Sequence, residues 1–211
     1  MAKSPLLRIV VCLLALLLLQ AFCHCERRPA DAGSCPAASF RWLTTPNRSD
    51  RRLSRYDYLI RKYAACIGMD WRLLSAIVYH ESKFNEQAIS PVGAKGLMQL
   101  MDVAAVHYGE PEADLFDPET SIRLGTVLLE DLIEQFEREG VAKEDVIRFA
   151  LASYNVGGGA LARRRAQADS LGLDRNVWAD VASVFDLEDH TTPAYIKAVE
   201  STYANYCLRY R

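Results

Sequence analysis

The chain reads as a succession of apolar stripes at helical spacing. Residues 53–67 are amphipathic and stop at Gly68, and residues 70–82 follow with Leu74, Ile77 and Val78 on one face after an Asp70 cap. Asp117-Pro118 combines an N-cap acceptor with a first-turn proline, and Ile122, Gly125, Leu129, Leu132 and Phe136 then mark one face of a long helix. Residues 141–154 form another, ended by Gly157-Gly158-Gly159, and a shorter basic helix runs to about Leu171. Thr192-Pro193 opens the last helix, with Ile196, Val199, Tyr203, Tyr206 or Cys207, and Tyr210 inward. No strand-like alternation competes, so the fold class is all-α.

The stripe of 70–82 carries an anomaly. Seven positions beyond Leu74 it reaches Glu81, a carboxylate on the face that should be buried and in the last turn, at the negative end of the helix. Burial and the helix end both raise a carboxyl pKa, and an acid still protonated near neutral pH is what general acid catalysis requires. An ordinary exposed glutamate at a frayed helix end is the competing reading, and the next residues weigh against it. Ser90, Pro91, Gly93, Ala94, Lys95 and Gly96 make a tight small-residue loop, before Leu97-Met98-Gln99-Leu100-Met101 turns apolar again. In 141–154, Ile147, Ala150 and Leu151 lead to Tyr154, again a polar-tipped group where a core face meets a loop, followed by Asn155; packing in the core with a satisfied hydroxyl is the alternative.

Half of the residues are apolar, enough for a core, and a net charge of −2 supplies no basic field, so nucleic acid is not an expected partner. The run Arg163-Arg164-Arg165 reads as a solvated helix face. Residues 1–25, with Lys3 and Arg8 ahead of an apolar run too short to span a membrane, have the layout of a secretory signal. Cleavage near Ala21 and lipidation at Cys23 or Cys25 are both open, the latter giving membrane attachment. Residues 26–50, with scattered proline, glycine and arginine, read as a tether, and 51–211 as the domain. Cys35, Cys66 and Cys207 remain for the mature protein; Cys66 and Cys207 read as buried free thiols, with a disulfide open to them after export. The cysteines and four histidines lack the spacing of a zinc site, and neither metal nor cofactor is expected.

The stretch HESKFNEQAISPVGAKGLMQLM resembles the catalytic motif of the lytic murein transglycosylases of the goose-type-lysozyme-like superfamily, glycoside hydrolase family 23. Glu81, Ser82, Phe84, Asn85, Ala88, Ser90, Gly93, Ala94, Gly96, Leu97, Met98, Gln99, Leu100, Met101 and Ala105 match its pattern, while Glu86 and Asp102 replace prolines and Ala104 a threonine; Asp102 is expected to cap the next short helix. Ala152-Ser153-Tyr154-Asn155-Val156-Gly157-Gly158-Gly159 resembles the family's A-x-Y-N-A-G-x-G, and Asn205-Tyr206-Cys207 resembles the N-Y-V of its E-T-x-N-Y-V signature, which puts Thr202 at the glutamate. Asp70-Trp71-Arg72-Leu73-Leu74 and Asn176-Val177-Trp178 look most like the F type of membrane-bound enzyme, here without room for the solute-binding-like domain that usually precedes the catalytic one.

The resemblance spans residues 53–211 and implies a lysozyme-like α-superhelical fold. It further implies that Glu81 alone acts as acid and then base, cleaving the bond between N-acetylmuramic acid and N-acetylglucosamine in peptidoglycan glycan strands without water, to leave 1,6-anhydro ends. Ser90, Met98, Gln99, Tyr154, Asn155 and Tyr206 would shape the groove. A monomer in the periplasm or cell envelope is expected. The alternatives are lysozyme-like hydrolysis of the same bond and a degenerate peptidoglycan-binding protein.

Overall fold

A computed structural model describes residues 52–185 and 191–210. The expected signal and tether, with Cys23, Cys25 and Cys35, lie outside them. Eight helices follow in order: α1 Asp57–Cys66, α2 Trp71–Ser82, α3 Asp102–His107, α4 Pro118–Arg138, α5 Lys143–Val156, α6 Gly158–Ser170, α7 Trp178–Phe185 and α8 Thr191–Arg209. Among the described residues the only β pairing is a pair of isolated bridges, Ile89 with Lys95 and Lys95 with Leu100.

Local chemistry sets most boundaries. Asp70 accepts from the Arg72 amide at 2.9 Å and Asp117 from the Thr120 amide at 2.8 Å, each capping the helix that the sequence announced. The first helix starts later than its periodicity predicts, because the Asp57 carboxylate takes the amides of Leu53 and Ser54, both at 2.8 Å, and bends that stretch into a turn. Asp102 does not cap α3: the cap position is Met101, and Asp102 turns back to Lys95 at 2.7 Å. The eight-residue α7 is an addition to the sequence-based picture; it is short, and buries Trp178, Val181, Val184 and Phe185 along one stripe.

The helix α2 packs most extensively against α8, with α1 beside it, while α4 lies along α5, and α6 and α7 pair with one another. Leu74, Ile77, Val78, Leu97, Met98, Ile122, Leu124 and Phe149 are fully buried where these layers meet. Arg165 corrects the expectation of a solvated basic face. It shares a stripe with Leu161 and Ala168, is 5% exposed, and binds Glu139, the Asn176 side chain and the Arg175 carbonyl. The cysteines differ too: Cys66 is exposed and disulfide-bonded, whereas Cys207 is a half-buried free thiol.

Candidate active site

Glu81 lies in the last turn of α2, and the chain leaves that helix abruptly. Lys83 and Phe84 both adopt left-handed backbone angles, φ 54° and 60°, and Gln99 does so across the loop at φ 49°. These are the only non-glycine residues with positive φ among the described residues, and two of them follow Glu81 closely in the chain. Such conformations cost about 1–3 kcal/mol each and persist where the surroundings enforce them.

The loop enforces them by hydrogen bonds. The Gln99 amide donates to the carbonyls of Gly96 at 3.0 Å and Ala88 at 3.2 Å, and the Ser90 hydroxyl accepts from the Ala94 amide at 2.9 Å. Gly96, at φ 73°, lies so close to the Leu115 carbonyl that a Cβ would fall 1.9 Å from its oxygen. Glu86, which stands where the resembling motif has proline, accepts from the Tyr56 hydroxyl at 2.6 Å and pairs with Arg55, tying the loop to the start of α1.

Three helices then converge on Glu81. From α8, the Tyr195 hydroxyl donates to Glu81 Oε1 at 2.5 Å. From α5, Tyr154 donates to the Met98 carbonyl at 2.6 Å and lies within electrostatic reach of Glu81. The Asn155 side-chain oxygen Oδ1 accepts from the Thr192 hydroxyl at 2.9 Å, joining the end of α5 to the first turn of α8. Burial pushes the Glu81 carboxyl from 4.5 up to about 7, while the Tyr195 hydrogen bond and the Lys83 ammonium pull the other way. Burial and the neighbouring Glu81 likewise hold both tyrosines well above 10, so their hydroxyls remain donors. Among the described residues no other carboxylate is one of the groups that perturb Glu81.

The sequence-predicted residues thus divide. Tyr154 comes within electrostatic reach of Glu81, and Asn155 is bonded to Thr192, one turn before Tyr195. Ser90 and Gln99 brace the loop from within. The Met98 side chain is fully buried against Gly125, and its backbone carbonyl accepts from Tyr154. Tyr206 is elsewhere: it lies eleven residues beyond Tyr195 on α8, about 16 Å along the axis, edge-on to Tyr210 and facing Tyr79 and Asp57. Thr202, which that alignment put at the signature's glutamate, instead bonds His80 at 2.8 Å, and Glu200 pairs with Arg148. Tyr195 is the residue that sequence reasoning missed. The spacing of threonine, tyrosine and aliphatic residue in E-T-x-N-Y-V is met by Thr192, Tyr195 and Ile196, with Thr191 at the glutamate, and that spacing was the signal available. Among the described residues no cluster of His, Cys, Asp and Glu could hold a metal.

Comparison with known proteins agrees with this geometry. Membrane-bound lytic murein transglycosylase F of Vibrio cholerae is 42% identical over 132 residues, 63% of this chain and 24% of that protein. The protein of the same name from Maricaulis maris is 37% identical over 157 residues, 74% of this chain and 33% of its own. The chain therefore spans about a quarter to a third of the length of these relatives. Among solved structures, an inactive mutant of the lytic transglycosylase Slt of Pseudomonas aeruginosa superposes with TM-score 0.57 at 25% identity, covering 74% of this chain and 24% of that one. The 70 kDa soluble lytic transglycosylase of Escherichia coli gives 0.55 at 28%, covering 72% and 24%. The lysozyme-like all-α fold is common to them. The model of the transglycosylase SLT domain matches residues 58–176, more than half of the chain, and with the helical architecture in agreement the chain belongs to the SLT transglycosylase family.

Proposed function

We propose that the chain is a peptidoglycan lytic transglycosylase in which Glu81 is the sole acid and base. The observation that carries this reading is a single buried carboxyl, held near neutrality and fastened by the Tyr195 hydroxyl, with no second carboxylate acting on it among the described residues. Hydrolysing glycosidases ordinarily deploy two carboxylates about the scissile bond. One group suffices when the substrate supplies its own nucleophile.

With Oε1 engaged by Tyr195, the transferable proton sits on Oε2. It passes to the oxygen between N-acetylmuramic acid and N-acetylglucosamine as the C1–O bond breaks, and the 2-acetamido group of the muramyl residue stabilises the cationic centre. The 6-hydroxyl of the same sugar then attacks C1, and the Glu81 carboxylate accepts its proton. The 1,6-anhydro ring closes and Glu81 is regenerated with no water consumed. Proximity of an intramolecular hydroxyl takes the place of a second side chain. Lys83 and Tyr154 lie within electrostatic reach of the acid, Asn155 ties the end of α5 to α8, and Ser90 and Gln99 act by holding the loop. Among the described residues no helix is long and apolar enough to cross a membrane. Export through residues 1–25, action in the cell envelope as a monomer, and attachment by a lipid at Cys23 or Cys25 complete the reading.

Digestion of purified sacculi, with products weighed by mass spectrometry, tests it. Anhydro-muramyl ends are expected, and Glu81→Gln should remove them while leaving the fold and glycan binding in place. Ends that have gained water would replace this reading by hydrolysis, and binding without any released fragment would replace it by a scaffold role.

A further inference from the structure

His80 precedes the acid in sequence and has no part in the chemistry above, yet it is half-buried between α2 and α8 with a partner on every side. Its Nε2 is hydrogen-bonded to Thr202 Oγ1 at 2.8 Å, the Ala198 carbonyl accepts from the ring, and the ring stands edge-on to Tyr195 with centroids 6.5 Å apart and planes at 86°. Tyr79 closes the remaining side, edge-on at 5.3 Å. Tyr195, Ala198 and Thr202 are spaced i, i+3, i+7, so they form one stripe of α8. The imidazole holds that stripe two turns along from where the same stripe presents its phenol to Glu81. The other fastenings between these two helices lie nearer the far end, where Tyr203 donates to Asp70 and Arg72 to the Tyr210 carbonyl.

We propose that His80 is a positioning residue for the acid, setting the rotation and axial register of α8 so that the Tyr195 hydroxyl stays on Glu81 Oε1. The proposal rests on the reading of Glu81 as the acid, but its structural content is separable from the reaction. Burial and the Lys83 ammonium hold the imidazole below its ordinary 6.5, so the ring is neutral at neutral pH and adds no positive charge beside the carboxyl. Among the described residues the charged or titratable groups facing the ring are Lys83, Tyr79 and Tyr195, and those facing Glu81 are Tyr195, Lys83 and Tyr154. Of these only Tyr195 is common to both and carried by α8. A shift of α8 that breaks the Tyr195 contact while Glu81 stays buried removes a hydrogen bond to the ionised form, and that loss raises the carboxyl pKa.

The test reads Glu81 itself, by 13C NMR titration of its side-chain carboxyl in glutamate-labelled protein. Tyr195→Phe should move the midpoint upward, and His80→Ala should move it the same way by about half a pH unit or more. The double variant should lie no further than Tyr195→Phe alone, because both changes remove one interaction. His80→Gln, whose amide can reach Thr202, should restore most of the wild-type midpoint. Thr202→Val removes the contact from the other helix and should match His80→Ala, which covers the case where His80→Ala does not fold. An unmoved midpoint in His80→Ala or Thr202→Val, or shifts that add to that of Tyr195→Phe, would overturn the proposal. Sacculus products without anhydro ends would overturn the functional reading and leave this titration as it stands.

Discussion

The Tyr195 hydroxyl lies 2.5 Å from Glu81 Oε1, so the acid is held by a group arriving from a helix more than a hundred residues later in the chain. This bond stabilises the carboxylate, the form needed in the second half of the proposed reaction, and opposes the burial that favours the acid form. Tyr195→Phe should therefore let activity persist to higher pH. It should also lower kcat by roughly tenfold, the worth of one oriented hydrogen bond of about 1.4 kcal/mol. A pH–rate profile of glycan turnover shows both, with the alkaline limb near 7 in the wild type and above it in the variant.

The same carboxyl makes stability depend on pH. Its folded pKa, about 7, exceeds the ordinary 4.5, so between those values the folded state binds more protons than the unfolded state and stability falls as pH rises. Below 4.5 the penalty is absent; above 7 it is complete, at up to about 3 kcal/mol. Glu81→Gln cannot ionise and should lose this slope, becoming more stable than wild type at pH 8 while losing turnover. Urea unfolding of both proteins at pH 5 and pH 8 measures the difference. A parallel decline in the two would mean that Glu81 is not the source.

What the sequence made legible was what local rules determine. The stripe from Leu74 to Glu81, the caps at Asp70 and Asp117, and the glycine break after Tyr154 each depend on residues within a few positions, and each appears in the structure. Tyr195 was hidden because its role depends on the rotation of α8 against α2, while Asn205-Tyr206 offered a nearby local imitation of the same motif. Asp102 illustrates a competition: it occupies a good capping neighbourhood, but Lys95, brought close by the bridge of Lys95 with Leu100, takes the carboxylate instead. Met98, assigned to the groove, is a related case, with its side chain buried and its carbonyl bonded to Tyr154. A motif records that a residue type is required, not whether its side chain or its carbonyl meets the requirement.

Gly125 bears on that last point. It faces Met98 across the α4 contact, where an added Cβ would come within 2.7 Å of Met98 Cε and 2.8 Å of its Cβ and Cγ. The far end of the methionine can swing away, but its Cβ is fixed to the backbone whose carbonyl anchors Tyr154. Gly125→Ala should thus cost about 1–3 kcal/mol despite its better helix propensity, and should weaken turnover by moving the Met98 carbonyl. Thermal unfolding and steady-state turnover of the variant would check both; a stabilised, fully active Gly125→Ala would show that the contact relaxes freely.

Arg165 gives a prediction far from the acid. Its guanidinium reaches Glu139 at the end of α4, the Asn176 side chain at 2.5 Å and the Arg175 carbonyl at 3.0 Å, and it lies over the rings of Phe136 and Phe149. Those partners leave in different directions from one plane, which suits a fork of fixed donors and not a single ammonium. Arg165→Ala should cost about 2–4 kcal/mol, since the carbonyl and carboxylate lose their donor and two aromatic rings lose their cover. Arg165→Lys should recover less than half of that loss. Arg163, two positions away and exposed, should change stability by no more than about 0.5 kcal/mol on replacement by alanine. Denaturant midpoints of the three variants decide the matter: equal effects at 163 and 165 would return the whole arginine run to the solvated face that its charge alone suggests.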